Sequence, residues 1–307
     1  MMLSGVVYGG RTAPFLLALP VLVASALLPW QAGWICAVAA IIVLGVPHGA
    51  LDVEIARTLL RGQFPHSWFP VFAAPYLLLV GAVLLAWHWA PEATLAAFLL
   101  ASVWHFGTED TCDGGLSALA WGGLPIAVPV LLQPAATVRI LSAVSGLALD
   151  GIPPWLFACS LAWLIPLSVV VVRSRGRNLA LPATTFAGFA ILPPLTAFAL
   201  YFVAVHAPAH TAALISHPQR APRVRDALTA WRLALPTTVL TVAIGAALWP
   251  FYSGPMPVRL LCLTLQMLAG LTLPHMMLEA WLNRKDRIPN FYSELYSPRQ
   301  TFDRVTH

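Results

Sequence analysis

Long apolar stretches follow one another along nearly the whole chain, and only short polar segments separate them. Stretches of about the length that crosses a bilayer as an α-helix occupy residues 13–30, 34–60, 68–90, 92–107, 116–132, 153–172, 194–216, 228–250 and 258–282. Two further apolar stretches, 135–149 and 179–192, are shorter. The pattern predicts an all-α, polytopic transmembrane helical bundle of about eight to ten spans. We expect residues 1–307 to form a single integral membrane domain.

Composition supports a membrane protein and argues against other classes. Hydrophobic residues make up 59% of the chain and charged residues only 9%, whereas a soluble domain has about 25% charged residues. The net charge of +5 needs no nucleic-acid partner, because basic cytoplasmic loops explain it. The cysteines are scattered, which indicates neither a disulfide framework nor a thiolate metal site; they are Cys36, Cys112, Cys159 and Cys262. We expect no cleaved signal peptide.

The distribution of Lys and Arg predicts the orientation in a cell membrane, because cytoplasmic loops are enriched in these residues. Basic clusters lie at Arg57 with Arg61 and in segments 173–178, 217–226 and 283–287. All four clusters can be cytoplasmic if 179–192 crosses the membrane fully and 135–149 does not. That arrangement gives about ten crossings and places both termini in the cytoplasm.

Histidines lie deep inside four of the apolar stretches, where ionisable side chains are costly and indicate function. His206 and His210 are four residues apart in YFVAVHAPAHTAAL, so a helix presents both on one face. The other three stretches each combine a histidine with an acid four residues later, and we expect each pair to project to one face: His48 with Asp52, His105 with Glu109 (followed by Asp110), and His275 with Glu279.

The predicted topology brings these histidines together. All four helices run from outside to inside, which places the histidines at similar depth and indicates one shared site. Imidazole nitrogen binds iron, zinc, copper or nickel. A ligating histidine commonly donates its second N–H to a carboxylate, so the four acids are candidate partners, or they cap helices at the interface. Pro47 and Pro274 directly precede a candidate ligand and could loosen the helix there.

The remaining histidines and the nearby aromatic residues are weaker candidates. His66 and His217 lie in predicted loops, His88 lies in an interfacial WHW and His307 is terminal. We expect these four to be ordinary interface residues. The aromatic side chains near the candidate site are expected to serve bundle packing; they are Trp104, Phe106, Tyr201 and Phe202.

Four motifs, PHGALD at 47–52, WHFGTED at 104–110, HAPAH at 206–210 and LPHMMLE at 273–279, together resemble the Brp/Blh family of bacterial β-carotene 15,15′-dioxygenases. The resemblance implies O2-dependent cleavage of the central double bond of β-carotene to two molecules of all-trans-retinal. It implies Fe(II) held by His48, His105, His206 and His210, with His275 as a further ligand, an outer partner or a substrate contact. The implied partners are β-carotene or a related carotenoid, O2, membrane lipid and, through its product, a rhodopsin.

Other functions remain open from the residues alone. A divalent-metal transporter could use the same His and Asp residues, but it needs a polar path across the membrane. Another histidine-metal oxygenase could act on a lipid or carotenoid. Membrane di-iron hydroxylases and desaturases carry about twice as many histidines, in HxxxH and HxxHH boxes. A retinal-binding protein usually needs a buried lysine, whereas the only lysine here, Lys285, lies in the basic tail.

Overall fold

The structure is a computed structural model that describes residue 20 and residues 22–110, 115–174 and 179–286. These residues form helices and connecting turns, and no strand occurs among them. The all-α, polytopic helical bundle predicted from the sequence is therefore confirmed. Parts of several predictions lie outside the described residues, namely those for residues 13–19, Cys112, segment 175–178, residue 287 and His307.

The helices follow in this order: α1 Trp30–Leu60, α2 Trp68–Trp89, α3 Pro91–Asp110, α4 Leu116–Gly122, α5 Leu124–Leu132, α6 Pro134–Ser145, α7 Pro154–Ser174, α8 Ala180–Ile191, α9 Pro194–Ser216, α10 Ala227–Leu248 and α11 Met256–Asp286. Six helices in the described part of the chain are long and apolar enough to cross a membrane: α1, α2, α7, α9, α10 and α11.

The two short apolar stretches form short helices. α6 and α8 each have 12 residues, which corresponds to a length of about 18 Å. A hydrocarbon core of about 30 Å is longer than either helix. This length agrees with the expectation that 135–149 does not span fully. It also means that α8 alone does not complete the crossing expected for 179–192, so the cytoplasmic placement of both termini stays a prediction.

Two hydrophobic clusters hold the bundle together. The larger cluster includes Val38, Val203 and Leu265, and the smaller one includes Leu51, Leu214 and Leu278. In α1, α9 and α11 the earlier residues belong to the larger cluster and the later residues to the smaller one. These three helices therefore run parallel, and the polar segment of each lies between the two clusters. That arrangement places His48, His206, His210 and His275 at one level.

α1 and α9 contain a π-helical segment at the same level, Ile41–Gly45 and Phe202–His206. The two segments pack against each other. A proline follows each segment by two residues, Pro47 in α1 and Pro208 in α9. Because proline has no N–H and clashes with the carbonyl four residues earlier, a widened turn accommodates it. Such π-helical segments are rare and often occur at functional sites.

Glycines allow close approach at two places around the polar level. A Cβ atom on Gly45 would overlap the ring of Phe202 in α9. A Cβ atom on Gly122 of α4 would overlap the carbonyl oxygen of Val103 in α3, and one on Gly107 would overlap that of Ala118. α1 and α3 carry His48 and His105. Each helix can pack this closely against its neighbour only because glycine has no side chain at the contact.

Candidate metal centre

Five of the histidines that the structure describes form a closed ring of imidazoles inside the bundle. Each is at most 7% exposed. The distances between neighbouring ring centroids are 4.9 Å for His105–His206, 5.2 Å for His206–His48, 5.5 Å for His48–His210, 5.3 Å for His210–His275 and 5.3 Å for His275–His105. The structure thus brings together all four histidines expected to be ligands, and His275 completes the ring. We call these five residues the imidazole ring cluster.

In four members of the cluster, Nδ1 faces a hydrogen-bond acceptor. The acceptors are the Gly45 carbonyl for His48, Glu109 Oε1 for His105 at 3.0 Å, Asp110 Oδ1 for His206 at 3.1 Å and Asp52 Oδ1 for His275 at 2.8 Å. An acceptor at Nδ1 favours the tautomer that donates from that atom. Nε2 then keeps its lone pair, as a metal ligand requires.

The acids do not pair as the four-residue spacing predicts, except in α3. Asp52 lies four residues after His48 in the sequence but binds His275. The intervening residues Ala50 and Leu51 form a turn, so His48 and Asp52 are not one regular helical turn apart. Asp110 binds His206 of α9. Asp52 therefore does not bond His48, although both side chains lie against His275, with the His48 and His275 ring centroids 6.0 Å apart, and both line the same cavity.

Glu109 and Glu279 lie against a different nitrogen of the imidazole ring cluster. Glu109 Oε2 is 3.6 Å from His206 Nε2, and its Oε1 is 3.4 Å from His275 Nε2. Glu279 Oε1 is 3.5 Å from His210 Nε2, and its Oε2 is 3.6 Å from Arg220. Both glutamates thus face the ligating side of the rings, whereas Asp52 and Asp110 face the outer side.

Sequence reasoning missed three residues around the cluster. Tyr201, expected to serve packing, donates a hydrogen bond to Asp110, and Tyr76 donates one to Asp52 at 2.9 Å. Each tyrosine therefore extends a chain of the form Tyr–Asp–His. Arg220, expected in an exposed basic loop, is 2% exposed and lies beside Glu279. A polar residue in an apolar stretch was the available signal for Tyr76, but tyrosine is common in membrane helices.

Buried polar atoms test whether the cluster fits a metal ion. His206 Nε2, both ring nitrogens of His210, His275 Nε2 and Glu109 Oε2 are buried and have no hydrogen-bond partner in the described part of the chain. Each such atom costs about 1–3 kcal/mol. Ligand atoms of His105, Glu109 and His206 also lie within 4.8 Å of one another. The residues therefore fit a divalent transition-metal ion, which would supply the missing interactions.

A cavity of about 350 Å³ adjoins the cluster. His48, His105 and His275 line it, and most of the remaining wall is apolar and comes from α2, α3, α5, α6, α9, α10 and α11. Phe69 and Phe72 of α2 lie on the wall, as do Leu156 and Pro194. The arrangement places potential ligands at the surface of a space suited to an apolar molecule.

The remaining described histidines lie outside the cluster. His66 and His88 are exposed, and His217 is half-buried after the end of α9. Phe106 and Phe202, expected to serve packing, pack against His206 with ring centroids 4.9 Å and 5.6 Å away. Trp104 is 55% exposed on α3. The expectation that aromatic side chains serve packing is therefore correct for Phe106 and Phe202. The side chain that both pack against is His206 of the imidazole ring cluster.

The chain is similar to known proteins over most of its length. The family described as Beta-carotene 15,15'-dioxygenase matches residues 39–283. A relative from Halobacterium salinarum, named Probable beta-carotene 15,15'-dioxygenase Blh, is 28% identical over 90% of this chain and 91% of its own length. Another, named Beta-carotene 15,15'-dioxygenase, from an uncultured marine bacterium (66A03), is 27% identical over 79% of this chain and 91% of its own length. No solved structure matches the chain.

Proposed function

Because the chain belongs to the beta-carotene 15,15'-dioxygenase family, we propose that it is an iron-dependent membrane dioxygenase acting on β-carotene. The central 15,15′ double bond breaks, and each carbon receives one oxygen atom of O2, so that two molecules of all-trans-retinal form. The observation that carries the proposal is the imidazole ring cluster, with buried unpartnered nitrogens, at the wall of an apolar cavity.

In this proposal, Fe(II) would be held by His48, His105, His206 and His210. When bound, ferrous iron would supply the redox chemistry that activates O2. Asp52, Glu109, Asp110 and the Gly45 carbonyl hold the outer nitrogen of their histidines. Such partners fix the tautomer and orientation of a ligand. Glu279 stands beside His210, with Oε1 3.5 Å from Nε2 on the side that faces the ion.

The cavity binds the polyene and sets the bond that is cleaved. Its apolar wall favours a hydrocarbon and excludes water. Because His48, His105 and His275 occupy one part of the wall, a long substrate is held in one register relative to the cluster. Holding a bond within reach of the reactive group is the main contribution that a protein makes to such a reaction. His275 is a contact of both the cluster and the substrate.

The described helices support a multi-pass location in a cell membrane, and both termini are assigned to the cytoplasm in this proposal. β-Carotene enters from the surrounding lipid, and retinal leaves into it, where a rhodopsin could receive it. Residues 1–307 act as one integral membrane domain. A metal transporter would need a polar path, and the apolar wall of the cavity does not provide one.

The test uses His48→Ala and His206→Ala in carotene-producing bacterial cells. Both variants should insert into the membrane, lose bound iron and lose retinal formation by at least about 100-fold. His88→Ala is the matched control, because His88 is exposed on α2, and it should retain iron and activity. Retinal formation at the wild-type rate by either of the first two variants would overturn the proposal.

A further inference from the structure

The cluster offers more ligands than one ion with open positions can use. It contains five imidazoles, and Glu109 and Glu279 both face Nε2 atoms. A first-row divalent ion takes about four to six ligands, and an oxygenase centre keeps some of these positions for O2. At least two of the seven residues are therefore in excess, although every one of them is at most 8% exposed.

The separations between the glutamates and the imidazoles are those of ligands on a common ion. Between the glutamate oxygens and the imidazole Nε2 atoms they range from 3.4 to 3.6 Å, longer than the roughly 2.7–2.9 Å of a charge-assisted hydrogen bond, whereas the Glu109 contact with His105 Nδ1 is shorter, at 3.0 Å. Two atoms that each lie about 2.1 Å from one ion at a near-tetrahedral angle are about 3.4 Å apart. Asp52 binds His275 Nδ1 at 2.8 Å, so at the Nε2 atoms the glutamates are spaced as ligands, whereas this aspartate is spaced as a hydrogen-bond partner.

The two carboxylate oxygens of Glu109 face three histidines. Its Oε2 is nearest to His206, and its Oε1 lies near both His105 Nδ1 and His275 Nε2. One ion accounts for the group formed by His105, Glu109 and His206. The other oxygen of Glu109 is then left beside His275, and His210 stands next to His275 with Glu279 at its Nε2.

We propose that the cluster holds two divalent metal ions bridged by the carboxylate of Glu109. The first ion is held by His48, His105, His206 and Glu109 Oε2. The second is held by His210, His275, Glu279 and Glu109 Oε1. The proposal rests on the metal-binding part of the proposed function and refines it, because His210 serves the second ion rather than the first and Glu109 becomes a direct ligand.

The buried unpartnered atoms are divided between the two positions. His206 Nε2 and Glu109 Oε2 belong to the first, and His275 Nε2 and His210 Nε2 belong to the second. An ion at the first position alone would leave His210 and His275 unsatisfied inside the bundle, at a cost that the proposed second ion removes. Unlike an acidic patch on a surface, this site is enclosed: His210 is 2% exposed and His275 4%.

The first experiment is a measurement of metal stoichiometry that needs no variant and no substrate. Detergent-purified full-length protein is stripped of metal and equilibrated anaerobically with Co(II) or Mn(II). Two equivalents should bind per chain, and the Mn(II) form should give the exchange-coupled electron paramagnetic resonance spectrum of an ion pair. A single equivalent with the spectrum of an isolated ion would overturn the proposal.

Variants locate the second position. His275→Ala and Glu279→Gln should each reduce binding from two equivalents to one and abolish the exchange coupling, while His88→Ala keeps both. Glu109→Gln should abolish the coupling as well, because the bridge is lost. Variants are compared only if they elute as a monodisperse species, and coupling retained in a folded His275→Ala protein would contradict the assignment.

The outcomes separate this proposal from the proposed function. Retinal formation by protein that binds one ion per chain would exclude the second ion and leave the dioxygenase assignment intact. Two coupled ions in protein that forms no retinal from β-carotene would exclude the assigned reaction and leave the second ion intact.

Discussion

The helices that carry the imidazole ring cluster are of two kinds. α1 and α9 each contain a π-helical segment, with a proline two residues after it. α3 and α11 are regular through the same level, although α11 contains Pro274. In α3 the regular geometry suffices, because Glu109 follows His105 by one turn and binds it. In the irregular helices, His48 of α1 instead bonds the backbone carbonyl of Gly45, and His206 of α9 bonds Asp110 of α3.

One helix of each kind, α1 and α3, shows how different contacts position them. α1 meets α9 where Gly45 faces the ring of Phe202, a side chain that can move. α3 meets α4 where Gly107 and Gly122 face backbone atoms, which cannot move without displacing a helix. α3 is therefore positioned by rigid backbone contact, whereas the π-helical segment of α1 is positioned by packing against a side chain.

Gly122→Ala tests the rigid contact and should have the largest effect. The new methyl group overlaps the Val103 carbonyl, so α3 and α4 must separate, at a cost of about 3 kcal/mol. We expect a lower melting temperature and a clear loss of monodisperse protein in size-exclusion chromatography. Gly81→Ala is the control, because nothing lies within 4 Å of the added atom. A Gly122→Ala protein as stable as this control would contradict the rigid contact.

Gly45→Ala tests the adaptable contact. The methyl group displaces Phe202, which packs against both His48 and His206. We expect a smaller loss of stability than for Gly122→Ala, about 1–2 kcal/mol, but a decrease of about 10–100-fold in metal affinity. Equilibrium metal binding measures the effect. A double variant with Phe202→Leu should recover part of the affinity; if it does not, displacement of the ring is not the cause.

The two Tyr–Asp–His chains compare the irregular and regular helices directly. Tyr201→Phe removes the donor to Asp110, which holds His206 of α9, and Tyr76→Phe removes the donor to Asp52, which holds His275 of α11. Each should reduce metal affinity by about 10-fold while the fold is retained. An effect confined to Tyr201→Phe would show that only the irregular side of the centre needs its outer hydrogen bond.

Arg223→Ala should have the smallest effect on stability and none on metal binding. Arg223 binds Glu54 of α1 at 3.1 Å, but its side chain is 51% exposed. Glu54 is buried but keeps a second partner in Arg57 at 3.5 Å, so the loss of the half-exposed arginine should cost about 1 kcal/mol. Thermal unfolding should therefore shift by a few degrees at most, and metal binding should not change. A loss of metal from this variant would mean that the segment after α9 supports the cluster.

Much of the centre follows from local patterns in the chain. Hydropathy alone locates α1, α9 and α11, and the unusual position of histidine in these apolar stretches identifies His48, His206 and His275 as candidates. The spacing also predicts the pair of His105 with Glu109, because one regular turn of α3 connects them. These features depend only on residues close in sequence, and so a single sequence contains them.

The other partners depend on how the helices pack. Asp52 binds His275 and Asp110 binds His206 because of the relative rotation of four helices, which no local periodicity records. Tyr76, Tyr201 and Arg220 acquire their roles in the same way. The π-helical segments had a partial signal in Pro47 and Pro208, but proline alone does not distinguish a widened turn from a kink.

By itself, the sequence determined that the protein is a helical membrane bundle and that histidines from four separate helices lie within apolar surroundings, because both are properties of composition and spacing. Only the tertiary structure decided which acid faces which nitrogen. That choice depends on distances of a few ångströms between side chains up to 223 positions apart in the chain, and such distances are set by packing and not by the local sequence.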